Sequence, residues 1–272
     1  MNNSVSPKHF IFFFLIAAMH LAAIVAGSGA EMVVTFTKPF LLIALLIVFS
    51  RLTRNRKNIQ IKFVFAALIF SWFGDVTLLF QEMNPNYFLI GLVCFLLAHL
   101  AYVISFKLRT KSGISNSLPY KEEPAGILRK HPWLIFLFLG YAAIILSITY
   151  HGLGDMLVPV IVYMCVILMM GLTALNRFGK VSSISFKEVF AGAIFFMLSD
   201  SLLAINKFSQ PIPSASFLIM FTYILAQYLI VKGMLDEGQW KEIITKTGVP
   251  EIIKGEILEE GDPEITSAEK KP

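Results

Sequence analysis

Lys38, Asp75 and Asp200 are the formal charges that stand well inside the long apolar runs of this 272-residue sequence. An ionisable group deep in hydrocarbon costs at least about 2.5–3.5 kcal/mol on insertion scales, so each needs a partner or a purpose. One ammonium can neutralise one carboxylate. The second is left over, and in a low-dielectric setting such a group tends to keep a proton. An acid held neutral beside one held ionised suits general acid and general base work near neutral pH. A buried ion pair that only fixes helix packing is the plain alternative, and the charge mismatch argues against it.

Uncharged polar side chains accompany these three. His99 and Tyr102 lie three residues apart, Tyr223 and Gln227 four apart, and at helical spacing each pair can share a face. Asn206 stands at the end of its run, where capping a helix and touching a substrate are equally open. His20 reads as a polar packing contact. Cys94 and Cys165 fall in separate runs and read as small core residues rather than a redox or metal framework. No zinc spacing, phosphate loop or dinucleotide fingerprint occurs, so neither cofactor nor metal is expected.

The elements that must position these groups are membrane helices. The sequence is 56% apolar with a mean hydropathy of +0.71, above the roughly 45–50% apolar share of soluble domains. Uncharged runs of about 20 residues match the length needed to cross a hydrocarbon core, and the alternation of a transmembrane β-barrel is absent. Eight spans are expected, near 9–26, 32–50, 63–80, 87–106, 133–150, 155–175, 187–206 and 215–234, giving an all-α polytopic bundle. The first run also has the look of a signal peptide, with Lys8 before it and Ala-Gly-Ser-Gly-Ala after, but its length and the seven runs that follow favour a span.

The net charge of +5 does not point to nucleic acid, because the basic residues sort by side. Arg51, Arg54, Arg56, Lys57 and Lys62 fall between spans two and three. Lys107, Arg109, Lys111, Lys121, Arg129 and Lys130 fall between four and five, and Arg177, Lys180 and Lys187 between six and seven. The alternate connections hold only Lys207. The positive-inside rule then puts both termini in the cytoplasm, with the inner membrane the location if the source is bacterial. Counted from the opposite side, Lys38 is about seven residues in, Asp75 about five and Asp200 about six, one common level roughly 8–10 Å deep. Tyr223 is near that level, with His99 and Gln227 about a turn deeper.

Residues 1–235 read as the transmembrane domain. Residues 236–272, with ten acidic and five basic side chains, read as a largely flexible cytoplasmic tail with a short amphipathic helix near Trp240–Ile244; the 107–132 segment reads as a solvated connector. A weak repeat suggests two parallel four-helix halves. Pro39 is echoed by Pro159, Gly74-Asp75 by Ser199-Asp200, and Leu-Ala-His at 97–99 by Leu-Ala-Gln at 225–227.

Several short stretches together carry a family resemblance: Thr-Lys-Pro-Phe at 37–40, Ser-Trp-Phe-Gly-Asp at 71–75, Gly91 with Ala-His-Leu-Ala-Tyr at 98–102, Leu-Ser-Asp at 198–200 with Asn206, and Tyr-Ile-Leu-Ala-Gln-Tyr-Leu-Ile at 223–230. In their order and spacing, over about residues 30–235, the chain resembles the YhhN-like lysoplasmalogenase family. The resemblance implies a hydrolase that cleaves the vinyl ether bond of a lysoplasmalogen to a fatty aldehyde and a glycerophospho-alcohol, with Asp75 and Asp200 as the catalytic pair. Lys38, His99, Tyr102, Asn206, Tyr223 and Gln227 are then candidates for binding substrate or tuning charge. The expected partners are a lysophospholipid substrate and membrane lipids, not nucleic acid.

A proton-coupled transporter of a lipid or small amphiphile is the rival reading, since two carboxylates and an ammonium at one level also suit a proton relay. A carrier moves its substrate unchanged, whereas a hydrolase releases aldehyde even in detergent.

Overall fold

The computed structural model describes residues 4–56, 58–84, 86–108 and 126–247. Among them eight long helices follow one another: α1 (Ile11–Ala26), α2 (Glu31–Thr53), α3 (Ile59–Leu78), α4 (Asn86–Lys107), α5 (Leu134–Leu153), α6 (Leu157–Leu175), α7 (Ser183–Phe208) and α8 (Ala215–Thr247). No strand occurs among the described residues. Local chemistry sets several ends. Gly27 closes α1 at φ 70°, a conformation glycine adopts without penalty. Asn58 caps α3 by accepting from the Gln60 amide at 3.1 Å, and Ser182 caps α7 by accepting from the Ser185 amide at 3.3 Å, each answering an orphan helix donor.

Seven helical stretches are long and apolar enough to cross a membrane. The longest, Leu134–Leu175, has 42 residues, which as one rod would be about twice the thickness of a hydrocarbon core. A 3₁₀ turn at Gly154–Met156 divides it, with Gly154 at φ 47°, and its two halves, α5 and α6, pack on each other and on α7. The result is a bundle of eight helices. Its surface inverts the usual pattern: Phe12, Phe36, Phe136 and Val158 are 61–72% exposed, while His20, Gln60, Asp75, His99, Tyr102 and Gln227 are 0–6% exposed. Lipid outside and polar groups inside account for that inversion.

The strongest helix pairings are α3 with α4 and α7 with α8, the same two positions in each half of the chain. Small residues allow the close approach. A Cβ on Gly74 would lie 2.6 Å from Phe95 of α4, and one on Gly192 would lie 2.7 Å from Ile230 and 2.9 Å from the Ala226 carbonyl of α8. The residue before each intramembrane aspartate faces its partner helix too: Gly74 meets Phe95, and Ser199 donates to the Ile219 carbonyl at 3.0 Å.

The two ends of the bundle differ. At the end holding the α2–α3 and α6–α7 connections, here the basic end, buried charges tie helices together. Arg177 donates to Ser185 at 2.8 Å and to Glu237 at 3.1 Å, and Gln60 donates to Glu237 at 3.1 Å. Lys232 pairs with Glu188 and, at 3.0 Å, with Asp236; the Val5 amide donates to Asp236 at 2.5 Å. The polypeptide does not become a tail at residue 236. α8 runs on to Thr247, and Asp236 and Glu237 are buried, because their carboxylates complete these ion pairs. Residues 248–272, expected to be flexible, and most of the connector, 109–125, lie outside the described residues. The rest of the connector includes a short helical turn, Ile127–Lys130, where the Leu128 amide reaches the Asn176 side chain at 3.4 Å.

Candidate active site

The two aspartates come from equivalent helices of the two halves, α3 and α7, and each is served by the fourth helix of the opposite half. Asp75 accepts from the Tyr223 hydroxyl of α8 at 2.7 Å on Oδ2, while Lys38 Nζ of α2 lies 3.9 Å from its Oδ1. Asp200 accepts from the Tyr163 hydroxyl of α6, and His99 Nε2 of α4 lies 3.8 Å from its Oδ2.

A relay of side chains continues from Asp75. Gln227 Nε2 donates to the Tyr223 hydroxyl at 3.3 Å, and the Tyr102 hydroxyl donates to Gln227 Oε1 at 2.7 Å. Tyr102 therefore fixes the amide, the amide fixes Tyr223, and Tyr223 fixes one oxygen of Asp75. Phe95 and Phe196 stand edge-on to the Tyr223 ring, at 6.0 and 5.5 Å between centroids. Such apolar walls strengthen every polar contact they enclose.

His99 is held differently. Its ring meets Phe196 at 4.6 Å and Tyr163 at 5.3 Å, both edge-on, and neither ring nitrogen has a hydrogen-bond partner among the described residues although the side chain is fully buried. An unsatisfied buried polar group is costly, and this one points toward Asp200.

Asp200 also borders a mostly apolar cavity lined by Leu78, Phe88, Leu92, Phe95, Val160, Tyr163, Leu203, Ala204 and Phe208. Its side chain is 16% exposed, against 3% for Asp75. Among the described residues no group of three or more His, Cys, Asp and Glu side chains could hold a metal ion.

Of the residues singled out from sequence, Lys38, Asp75, Tyr223, Gln227 and Tyr102 form one connected set, and Asp200 with His99 forms the second. His99 and Tyr102 share a helix yet serve different carboxylates. Asn206 joins neither set: it accepts from the Ile212 amide at 2.9 Å and shapes the turn between α7 and α8. Tyr163 went unnoticed in the sequence, where a tyrosine in the apolar run of span six was its only signal. His20 binds Thr37 at 2.7 Å, and Thr37 itself donates to the Val33 carbonyl at 2.6 Å, which clamps α1 to α2 beside Lys38.

Comparison with known proteins gives this geometry a setting. Lysoplasmalogenase TMEM86A of Bos taurus is 31% identical over 179 residues, 65% of this chain and 66% of that protein. Lysoplasmalogenase TMEM86B of Homo sapiens is 34% identical over 170 residues, 62% of each chain, and Homo sapiens lysoplasmalogenase TMEM86A is 28% identical over 176. The chain thus spans just under two thirds of the length of these relatives. No solved structure matches it. Residues 33–234 match the YhhN family, a stretch that runs from the start of α2 through the membrane part of α8 and includes both aspartates and every partner described for them, so the chain belongs to the YhhN family.

Proposed function

We propose that this protein is a membrane-embedded hydrolase that cleaves the vinyl ether bond of lysoplasmalogen-type lipids, releasing a fatty aldehyde and a glycerophospho-alcohol. The observation that carries the reading is the unequal pair: one buried aspartate beside an ammonium, the other beside a phenol, an imidazole and an apolar cavity. The names of the relatives support the same substrate class.

An enol ether hydrolyses through protonation of its β-carbon. Asp200, with no ammonium against it and open to the cavity, donates that proton. The Tyr163 hydroxyl occupies Oδ2 and leaves Oδ1 to carry it. The α-carbon becomes an oxocarbenium centre, which the Asp75 carboxylate, kept ionised by Lys38, stabilises. Water then adds to that carbon, and Asp75 accepts its proton. In the hemiacetal the hydroxyl proton is transferred to the glycerol oxygen as the C–O bond breaks, giving aldehyde and alcohol. A proton passing from Asp75 to Asp200 restores the starting state. The basic end faces the cytoplasm in this reading, so the reaction takes place toward the opposite leaflet.

Purified protein in detergent, given a 1-alkenyl lysophospholipid, should release aldehyde detectable by mass spectrometry. Asp75→Asn and Asp200→Asn should each lower the rate about 10³-fold, the scale of positioned acid–base groups. Near-normal release by both variants overturns the assignment, and transport of intact lipid into liposomes without aldehyde replaces it with a carrier.

A further inference from the structure

Lys207 has no place in the chemistry above, yet its ammonium lies over the ring of Phe88, which lines the cavity that chemistry uses. It is exposed at the last turn of α7, and its Nζ lies 5.2 Å from the centroid of the Phe88 ring. Phe88 lines the cavity beside Asp200 and meets Phe208 edge-on at 5.7 Å. Among the described residues Lys207 makes no ion pair. The connections at this end of the bundle contain no other lysine or arginine.

Spacing links this cation to the reacting carboxyl. Positions seven apart on a helix share a face, and Asp200, Leu203, Ala204 and Phe208 line the cavity from that face of α7. Lys207 thus sits above Asp200 by about 10 Å of helix. In a single-chain glycerophospholipid the atoms from the ether-linked chain carbon through the glycerol to the phosphorus, when extended, cover a distance of that order. With the phosphate at the ammonium and the ether linkage at Asp200, the glycerol would span the stretch of the cavity that Leu203, Ala204 and Phe208 line.

Resting on the hydrolase reading, we infer that Lys207 is the phosphate-binding residue for a single-chain phospholipid that occupies this cavity from the leaflet opposite the basic end. Lys38 does not serve that role, because its ammonium is turned to Asp75.

A ligand that cannot be cleaved separates this inference from the hydrolase reading. Equilibrium binding in mixed micelles would be measured for a radiolabelled 1-alkyl-glycerophosphocholine and for the phosphate-free 1-alkyl-glycerol, with wild type, Lys207→Gln and Lys207→Arg. Lys207→Gln should weaken phosphocholine-lipid binding about tenfold, as expected for loss of one charge-assisted contact. Lys207→Arg should stay within about twofold of wild type, since the charge and its donors are kept. The neutral lipid should bind all three alike. Unchanged binding by Lys207→Gln, an equal loss of both lipids, or no binding of either lipid by wild type overturns the inference. Because the saturated ether survives, the outcome holds whether or not aldehyde is ever released from the alkenyl lipid.

Discussion

Asp75 and Asp200 occupy matching places in the two halves of the bundle, and the halves treat them differently. Each is preceded by a small residue against the fourth helix of its own half, and each takes a partner from the fourth helix of the other half. The second helix of each half makes the difference: α2 sends Lys38 to Asp75, and α6 sends Tyr163 to Asp200. One scaffold thus presents a carboxylate with a countercharge and another without. A like pair at equal positions would be redundant for acid–base work, whereas an unequal pair can divide the two roles.

The sharpest way to break the comparison is to remove each charge and read stability rather than rate. Asp75→Asn strands the Lys38 ammonium, which has no other ion-pair partner among the described residues. A fully buried pair broken on one side costs 3–5 kcal/mol. Here the contact is long and Lys38 is 15% exposed, so about 2–3 kcal/mol is expected. Asp200→Asn strands no cation and should cost under about 1 kcal/mol. Unfolding titrations in detergent should show this gap, and Lys38→Met combined with Asp75→Asn should recover most of the loss. Equal destabilisation by the two single variants would mean that the halves do not differ electrostatically.

Packing offers a smaller contrast. A methyl on Gly74 would press on the ring of Phe95, a side chain that can tilt. One on Gly192 would press on Ile230 and on backbone atoms of α8, the Ala226 oxygen and the Ile230 nitrogen, both at 2.9 Å. Backbone gives way less easily, so Gly192→Ala should cost about 2–3 kcal/mol and Gly74→Ala about 1 kcal/mol, within the range for overpacked sites. Thermal unfolding of the two variants side by side measures the order. If Gly74→Ala proved the worse, the first half would be the more tightly fastened.

The sequence made much of this legible and hid some of it, for physical reasons. Charge in an apolar run is expensive, so Lys38, Asp75 and Asp200 announced themselves, and counting residues from one side put them at one level. Helical spacing linked Tyr223 with Gln227. It could not say that His99 and Tyr102 turn to different carboxylates, because that depends on how α4 is rotated between its neighbours. Tyr163 escaped notice because a phenol in a membrane span costs far less than a charge and also suits plain packing. The cluster of Arg177, Glu188, Lys232, Asp236 and Glu237 escaped because charges near helix ends look solvated until another helix covers them.

The finest test of the comparison lies in the two phenols. Tyr223 donates to an aspartate that also has an ammonium, and Gln227 and Tyr102 hold that hydroxyl from behind. Loss of its oxygen leaves Lys38 in place. Tyr163 is the hydrogen-bond donor to Asp200 among the described residues, and without it the carboxyl is free to turn its proton away from the cavity. A hydrogen bond to a group that acts in the transition state contributes about 1.5 kcal/mol, or about tenfold in rate. Tyr163→Phe should therefore lower kcat about tenfold with little change in KM, and Tyr223→Phe should lower it about two- to threefold, half or less of that free energy. Aldehyde-release kinetics at saturating lipid resolve the two. A larger loss from Tyr223→Phe would reverse the roles assigned to the carboxylates, making Asp75 the group whose orientation limits the proton transfer and Asp200 the one that the bundle already holds in place.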